Sequence, residues 1–129
     1  MTLYRLYGDE AGETHLAPFD LPVIQVNSEG VTRLRGLLDI PSTGAGIVEL
    51  IEGVSDEGLH PAPARRLLVF LRGQTEIRTT AGDCQILAAG DCLLADDVNS
   101  KGHYTHDIGE DPRMMVTIGI PSDWEFPGP

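Results

Sequence analysis

Two short stretches of the chain concentrate the side chains best suited to acid–base and anion-binding chemistry. The first carries His60 and Arg66, and the second carries Asp97, Lys101 and His103. An imidazole exchanges protons near neutral pH, a carboxylate can hold its tautomer, and a cation can stabilise an enolate or a carboxylate. If the fold brings the two stretches together, these five residues form a site for proton transfer on a bound anion.

The same residues also allow a metal site. Zinc sites use about three protein ligands, and octahedral iron or manganese sites use two imidazoles and a carboxylate. His60 and His103 supply two imidazoles, and Asp96 or Asp97 could supply the carboxylate. The guanidinium of Arg66 would be repelled by a dication unless an anion lay between them. No cofactor is therefore predicted, and a divalent metal is the alternative.

Strand geometry predicts which neighbours of His60 share its surroundings. Residues an even number apart point to one face of an extended strand, so His60 would share a face with Arg66, Leu68 and Phe70. This spacing predicts a mostly apolar pocket with Leu68 and Phe70 on its wall and a few charged groups.

The other two histidines are predicted to lie outside this pocket. His106 falls on the opposite face from His103 by the same alternation, so it is expected on the surface. His15 lies in a polar N-terminal stretch and is expected in a loop.

The elements that must position these residues are short strands. Fifteen Gly and nine Pro interrupt the chain too often for long helices, and this punctuation is typical of an all-β fold. The candidate strands are Val31 to Leu37, Ala45 to Ile51, Arg66 to Leu71, Thr75 to Thr80, Cys84 to Leu87, Cys92 to Ala95, Tyr104 to Asp107 and Arg113 to Ile120.

The length of 129 residues predicts one domain covering 1–129. Prolines at 18, 22 and 41 and a polar loop over 8–13 predict that residues 1–40 form an irregular segment packed on the strands. Cys84 and Cys92 lie in apolar, strand-like stretches and are expected to be buried, reduced thiols.

The net charge of -11 limits the classes of partner. It repels nucleic-acid backbones and anionic lipid headgroups, so neither nucleic acid nor membrane is an expected partner. The N-terminus lacks the apolar core of a signal peptide, and no apolar run approaches the length of a spanning helix. A cytoplasmic location is therefore predicted.

At this point the residues resemble a known superfamily, the cupins. In the usual first cupin motif a histidine is followed by a second histidine, a glutamate and a glycine, and here those offsets hold His60, Ala62, Arg66 and Gly73. The second motif begins with a glycine, here Gly90, and its last histidine corresponds to His103 with two extra residues between them.

A subgroup of small bacterial cupins with no agreed activity is similar over most of the chain. The resemblance implies a double-stranded β-helix, or jelly-roll, barrel with a metal or a small ligand inside, and it implies no particular reaction. The matching segments are Tyr4 to Tyr7, Gly12 to His15, His60 to Pro63, Asp96 to Asp97 and Lys101 to His103.

These observations predict a cupin that binds a small, anionic organic molecule and performs isomerase-, cyclase- or lyase-type chemistry without a redox metal. His60 and His103 are the expected acid and base, Asp97 orients an imidazole, and Arg66 and Lys101 anchor the anion. One alternative is a metal-dependent enzyme, and another is a non-catalytic binding or sensing protein. A homodimer is also expected, because two aromatics and a leucine at positions 4–7 could remain exposed in a monomer.

Overall fold

A computed structural model describes residues 2–51 and 56–127. Every regular element in these ranges is a strand. The described residues include no helix that is long and apolar enough to cross a membrane. The strands are β1 (Leu3–Gly8), β2 (Thr14–Pro18), β3 (Val23–Ser28), β4 (Val31–Gly36), β5 (Gly44–Glu49), β6 (Asp56–His60), β7 (Arg66–Arg72), β8 (Gln74–Thr79), β9 (Cys84–Ala88), β10 (Cys92–Asp96), β11 (His103–Ile108) and β12 (Met114–Gly119).

The larger sheet contains six strands in the order β2-β1-β10-β7-β12-β5. β1 runs parallel to β10, with Leu3 opposite Cys92, and the other neighbours are antiparallel. β10 lies inside this sheet between β1 and β7. Its residues Leu93, Leu94 and Ala95 are therefore all buried, and the strand is continuously apolar instead of alternating.

The smaller sheet has the antiparallel order β6-β11-β8-β9. β8 and β9 form a hairpin, and Gly82 in its turn has a φ of 100°, which glycine adopts without steric strain. A separate two-stranded hairpin, β3–β4, is paired with neither sheet.

The hydrophobic core is formed by side chains that alternate along the strands of the two main sheets. On β7, Leu68 and Phe70 are buried, and on β8 the buried positions are Thr75, Ile77 and Thr79. The core cluster consists of Leu6, Leu16, Leu68, Phe70, Ile77, Leu87, Leu93 and Met115.

The N-terminal forty residues differ from the expectation of an irregular segment. They contain β1 to β4, and β1 and β2 are part of the six-stranded sheet itself. Pro18 is the last residue of β2, an edge strand, where a missing N–H is tolerated, and Pro22 lies between β2 and β3. The prolines therefore separate strands here without preventing them.

The prediction of an all-β chain is confirmed. Neither main sheet closes on itself within the described ranges: one ends at β2 and β5, and the other at β6 and β9. β6 was not among the candidate strands, and its pairing with β11 is what brings His60 to the interior.

Candidate functional site

A cavity of about 210 Å³ lies between the two main sheets. Its wall is largely apolar, and histidine and arginine side chains reach it at a few places, as in many small-molecule sites. The lining residues are Val48, Leu50, His60, Ala62, Arg66, Leu68, Phe70, Ile77, Leu93, Ala95, His103, Thr105, Arg113, Met115 and Thr117.

His60 and His103 meet in this cavity. His60 ends β6 and His103 begins β11, and the two are opposite each other in the antiparallel ladder. Their ring centroids are 5.3 Å apart with the planes inclined at 56°. The Nδ1 atom of His60 lies 3.2 Å from the carbonyl oxygen of Pro61, which can only accept, so Nδ1–H is the donor of this bond.

Asp97 is the polar partner of His103. Its side chain is 0% exposed, and its Oδ2 lies 2.5 Å from Nδ1 of His103. Its other oxygen accepts a hydrogen bond of 3.2 Å from the backbone N–H of Ala62. A carboxylate on Nδ1–H fixes the tautomer of an imidazole and leaves Nε2 to face a ligand.

A tight loop connects Asp97 to His103. The Ser100 hydroxyl donates to the carbonyl oxygen of Asp97 at 2.6 Å and accepts from the N–H of Gly102 at 3.0 Å. Asn99 has a φ of 60° in the same loop. Asn99 and Ser100 therefore shape this loop.

Arg66 brings an uncompensated positive charge to the cavity. Its Nε atom is buried and has no hydrogen-bond partner, and no carboxylate of the described residues pairs with its guanidinium. The residue is half-buried, and a buried N–H without an acceptor is unfavourable by about 1–3 kcal/mol. Of the features of this cavity, this is the one that most directly indicates an anionic ligand.

His60 and Arg66 reach the cavity by a different route from the one expected. They do not lie on one extended strand: His60 ends β6 in the smaller sheet, and Arg66 begins β7 in the larger one. Leu68 and Phe70 do share the inward face of β7 with Arg66. The parity prediction is thus correct within β7 and does not extend back through Pro61 and Pro63.

Arg113 is a cavity residue that sequence reasoning missed. It is buried, and its Nε lies 3.5 Å from Oδ1 of Asp107. Asp107 also accepts a hydrogen bond of 2.8 Å from the Thr75 hydroxyl. Asp107 is four residues after His103 on the same strand, so alternation puts it on the same inward face. This was an available signal, because an inward carboxylate requires a cationic or donor partner.

Lys101 lies outside the cavity, contrary to the expected anchoring role. Its ammonium forms an ion pair with Glu13 at the surface, and the hydrogen bond from Lys101 lowers the pKa of the Glu13 carboxyl. A long side chain on a turn extends to solvent and pairs there, so its closeness in sequence to His103 does not bring it into the site.

The remaining histidines also lie outside. His106 is exposed on the outer face of β11, in agreement with its parity. His15 lies on β2, not in a loop, where its ring stacks on Tyr7 at 5.3 Å. Its Nε2 is 2.7 Å from Asp9, and this hydrogen bond lowers the pKa of the Asp9 carboxyl.

The two carboxylates considered as metal ligands are both engaged elsewhere. Asp96 receives hydrogen bonds from the guanidinium groups of Arg5 and Arg65, and Asp97 uses one oxygen for Ala62 and the other for His103. Across residues 2–51 and 56–127, no group of three His, Cys, Asp or Glu side chains converges in a way that could hold a metal ion.

The two cysteines occupy different environments, and only part of the expectation holds. Cys84 is exposed, whereas Cys92 is half-buried. Burial raises the pKa of the Cys92 thiol, and the Asp91 carboxylate adds to the effect. Neither thiol lines the cavity.

Comparisons with known proteins place the chain only at a distance from others. No family model matches it, and no curated protein matches it significantly. A solved structure, protein NMB1881 from Neisseria meningitidis, is similar over 76% of this chain and 82% of that protein, with 12% identity and a TM-score of 0.42. A likeness this weak assigns neither family nor function.

Proposed function

We propose that this chain is a cupin-like double-stranded β-helix whose cavity binds a small organic anion and catalyses acid–base chemistry on it, as an isomerase, cyclase or lyase would. The observation that carries the proposal is the half-buried Arg66, whose buried Nε has no hydrogen-bond partner, in the cavity that is also lined by the His103 ring that Asp97 holds.

Arg66 is the proposed anchor of the anion. Its planar guanidinium can donate two parallel hydrogen bonds to a carboxylate, and in a low-dielectric cavity such a charge-assisted pair is strong. The ligand would supply the negative charge that the described part of the chain does not place beside Arg66. The acidic surface would repel the same anion, so that it is held only inside.

His103 is the proposed base. Its Nε2 lone pair takes a proton from a carbon next to the ligand's carbonyl group, and the C–H pair forms a C=C bond while the carbonyl π pair moves onto oxygen. Arg66 stabilises the resulting enolate, and Asp97 stabilises the imidazolium. In a ligand with a β,γ double bond the enolate is conjugated. Protonation of its γ-carbon by His103 or His60, with the oxygen pair re-forming the carbonyl and the double bond shifting to the α,β position, completes an isomerisation. Departure of a β-substituent with its bonding pair gives an elimination.

Anion binding is tested on Arg66 variants by calorimetry with benzoate and inorganic phosphate as probes. Arg66→Lys keeps the charge but loses the two parallel N–H donors of the guanidinium. Binding of any probe that the wild-type protein binds should therefore weaken by about 1–3 kcal/mol. Arg66→Met should be at least as damaging. The control is Arg78→Met, because Arg78 is exposed and paired with Glu76. Equal binding by wild type and folded Arg66→Met would refute the anchoring role.

Catalysis is tested by solvent deuterium uptake into 2-oxo acids followed by NMR. His103→Gln should reduce the exchange rate by about 100-fold or more, and Asp97→Asn should also reduce it. His106→Gln is the matched control, since His106 lies on the outer face of the same strand. If the wild-type protein binds the 2-oxo acids but exchanges none of their C–H hydrogens for deuterium, the non-catalytic binding or sensing alternative replaces the enzyme proposal.

The metal-dependent alternative rests on the facing rings of His60 and His103. Two imidazoles bind a divalent ion loosely without a third protein ligand, so a bound anion would have to complete the site. Elemental analysis of the purified protein decides between the metal-free and the metal-dependent hypotheses. One tightly held ion per chain that is lost in His60→Ala would favour the metal enzyme.

We also propose that the chain forms a homodimer, through a surface different from the expected one. Leu6, within the segment 4–7, is fully buried in the core, whereas the β3–β4 hairpin exposes Val23 and Leu34. Light scattering should give twice the chain mass of 13.9 kDa. Leu34→Glu should halve it, while Ile86→Glu, at an exposed site on β9, should not. A monomeric wild type would contradict the proposal.

A further inference from the structure

We infer that the cavity selects a monocarboxylate with an apolar body, with the carboxylate on Arg66 and the body directed toward Arg113. This inference rests on the proposed function and narrows it to one ligand class. Three features of the described cavity support it: the balance of charge, the order of side chains along its walls, and its size.

The charge balance of the cavity favours one negative charge on the ligand. Two arginines line it. Asp107 lies 3.5 Å from Arg113 and compensates that guanidinium, and Asp97 lies 2.5 Å from His103 and compensates any charge on its ring. Arg66 then contributes the remaining positive charge. A dianion would bring a second carboxylate to the end where Asp107 already compensates Arg113, which is unfavourable.

The strand register places the two arginines at opposite ends of the cavity. On the β7–β12 ladder, Arg66 is opposite Gly119, while Arg113 immediately precedes Met114, which is opposite Arg72. On the β10–β7 ladder Ala95 is opposite Arg66, and Asp97 follows two residues later and holds His103. His103 and its ladder partner His60 therefore lie near the Arg66 end. A ligand anchored on Arg66 therefore has its first carbons near the imidazoles.

Apolar side chains line the space between the two ends. Leu68 and Phe70 follow Arg66 on β7, and Met115 on β12 is opposite Phe70. Ile77 contributes from the other sheet. Each of these side chains is at least nine-tenths buried. An aliphatic or aromatic body would displace little hydrogen-bonded water here, whereas a polyhydroxylated or phosphorylated body would lose its hydration without partners.

The cavity volume limits the size of the ligand. At about 210 Å³ it lies below the roughly 300–1,000 Å³ of sites for drug-sized molecules. It corresponds to about seven water molecules at roughly 30 Å³ each. A short aliphatic acid or a benzoate-sized acid fits this space, and a nucleotide does not.

The first experiment uses three six-carbon probes, hexanoate, adipate and hexanamide, and inorganic phosphate as a compact anion. Calorimetry on the wild-type protein should show hexanoate binding at least tenfold more tightly than each of the others. Adipate adds a second charge at the far end, and hexanamide removes the only charge. Arg66→Met should abolish the preference for hexanoate over hexanamide.

The second experiment aims to shift the specificity of the cavity from a monocarboxylate to a dicarboxylate. Leu50 lines the cavity, is outside the core cluster, and its N–H donates to the carbonyl oxygen of Arg113, so it marks the end opposite Arg66. Leu50→Lys should place a cation there and raise the adipate-to-hexanoate affinity ratio at least tenfold. Leu50→Met is the matched control and should leave the ratio unchanged.

The outcomes separate this inference from the proposed function. Adipate or phosphate binding as tightly as hexanoate, with dependence on Arg66, would overturn the monocarboxylate class and leave the anion site intact. Binding of none of the three anions would overturn both. An unchanged ratio in folded Leu50→Lys would show that the ligand body does not extend toward Arg113.

Discussion

At the scale of single residues, the adjacent pairs Arg65–Arg66 and Asp96–Asp97 each contain one residue that stabilises the fold and one that belongs to the candidate site. Arg65 and Asp96 bind each other, with Nε of Arg65 2.5 Å from Oδ1 of Asp96. Their neighbours Arg66 and Asp97 serve the cavity instead. Successive side chains in extended backbone point to opposite sides. An Arg-Arg and an Asp-Asp dipeptide therefore each supply one residue to an ion pair and one to the site.

The thiols give a prediction at this scale. At about pH 8, iodoacetamide should alkylate Cys84 at least tenfold faster than Cys92, because burial raises the Cys92 pKa and restricts access. Mass spectrometry of timed samples measures both rates. In concentrated guanidinium chloride the two rates should become similar. Comparable rates in the native protein would show that β10 opens far more readily than an interior strand should.

The residues of the site could be predicted from the sequence where alternation or motif spacing fixed their direction. Alternation correctly predicted that His103 faces inward and His106 outward on β11, and that Leu68 and Phe70 face inward on β7. The prediction was wrong for Lys101, whose long side chain bypasses the cavity to reach Glu13. Arg113 lies outside both motifs; the inward position of Asp107 indicates that a cationic or donor partner is needed but does not identify Arg113 as that partner.

At the scale of elements, the loop from Asp97 to His103 determines how β6 approaches β11. Gly102 has a φ of 94°, and a Cβ built on it would lie 2.3 Å from the carbonyl carbon of His60 and 2.6 Å from the nitrogen of Pro61. The backbones therefore touch at this point. This close approach places the His60 ring beside the His103 ring.

Gly102→Ala should therefore be more damaging than a glycine substitution elsewhere at the same φ. Gly90 also has a φ of 94° but has nothing within 4 Å of a built Cβ. Gly90→Ala should cost about 1–3 kcal/mol of unfolding free energy from backbone strain alone. Gly102→Ala should cost at least about 2 kcal/mol more, because His60 must also shift. Denaturant titration measures both, and equal losses would contradict the close contact.

The elements themselves were partly predictable. From residue 66 onward, Gly and Pro punctuation located each observed strand to within a few residues. β1, β2 and β3 were missed because prolines between strands were read as a sign of irregular structure. β6 was missed because the chain was assumed to stay extended from His60 past Pro61 and Pro63 into β7, whereas it changes sheet there. Sheet membership depends on distant partners that a local pattern does not contain.

At the scale of the whole molecule, Asp96 connects distant parts of the chain. It accepts hydrogen bonds from Arg5 on β1 and from Arg65 before β7. Arg65 also donates to the carbonyl oxygens of Pro121 and Trp124. Its guanidinium carbon lies 5.3 Å from the Trp124 ring centroid. One carboxylate thereby links the N-terminal strand, the start of β7 and the C-terminal segment.

The last prediction follows from this connection. Asp96→Asn leaves Arg5 and the nearly buried Arg65 without their carboxylate, and breaking a buried pair from one side typically costs about 3–5 kcal/mol. The pair between half-buried Glu76 and exposed Arg78 is the control, where Glu76→Gln should cost less than about 1 kcal/mol. Denaturant titration gives both values, and faster proteolysis at the C-terminal segment in Asp96→Asn should accompany the loss. If both variants lose the same small amount, Asp96 does not hold the chain ends, and their docking must depend on aromatic packing at Trp124 instead.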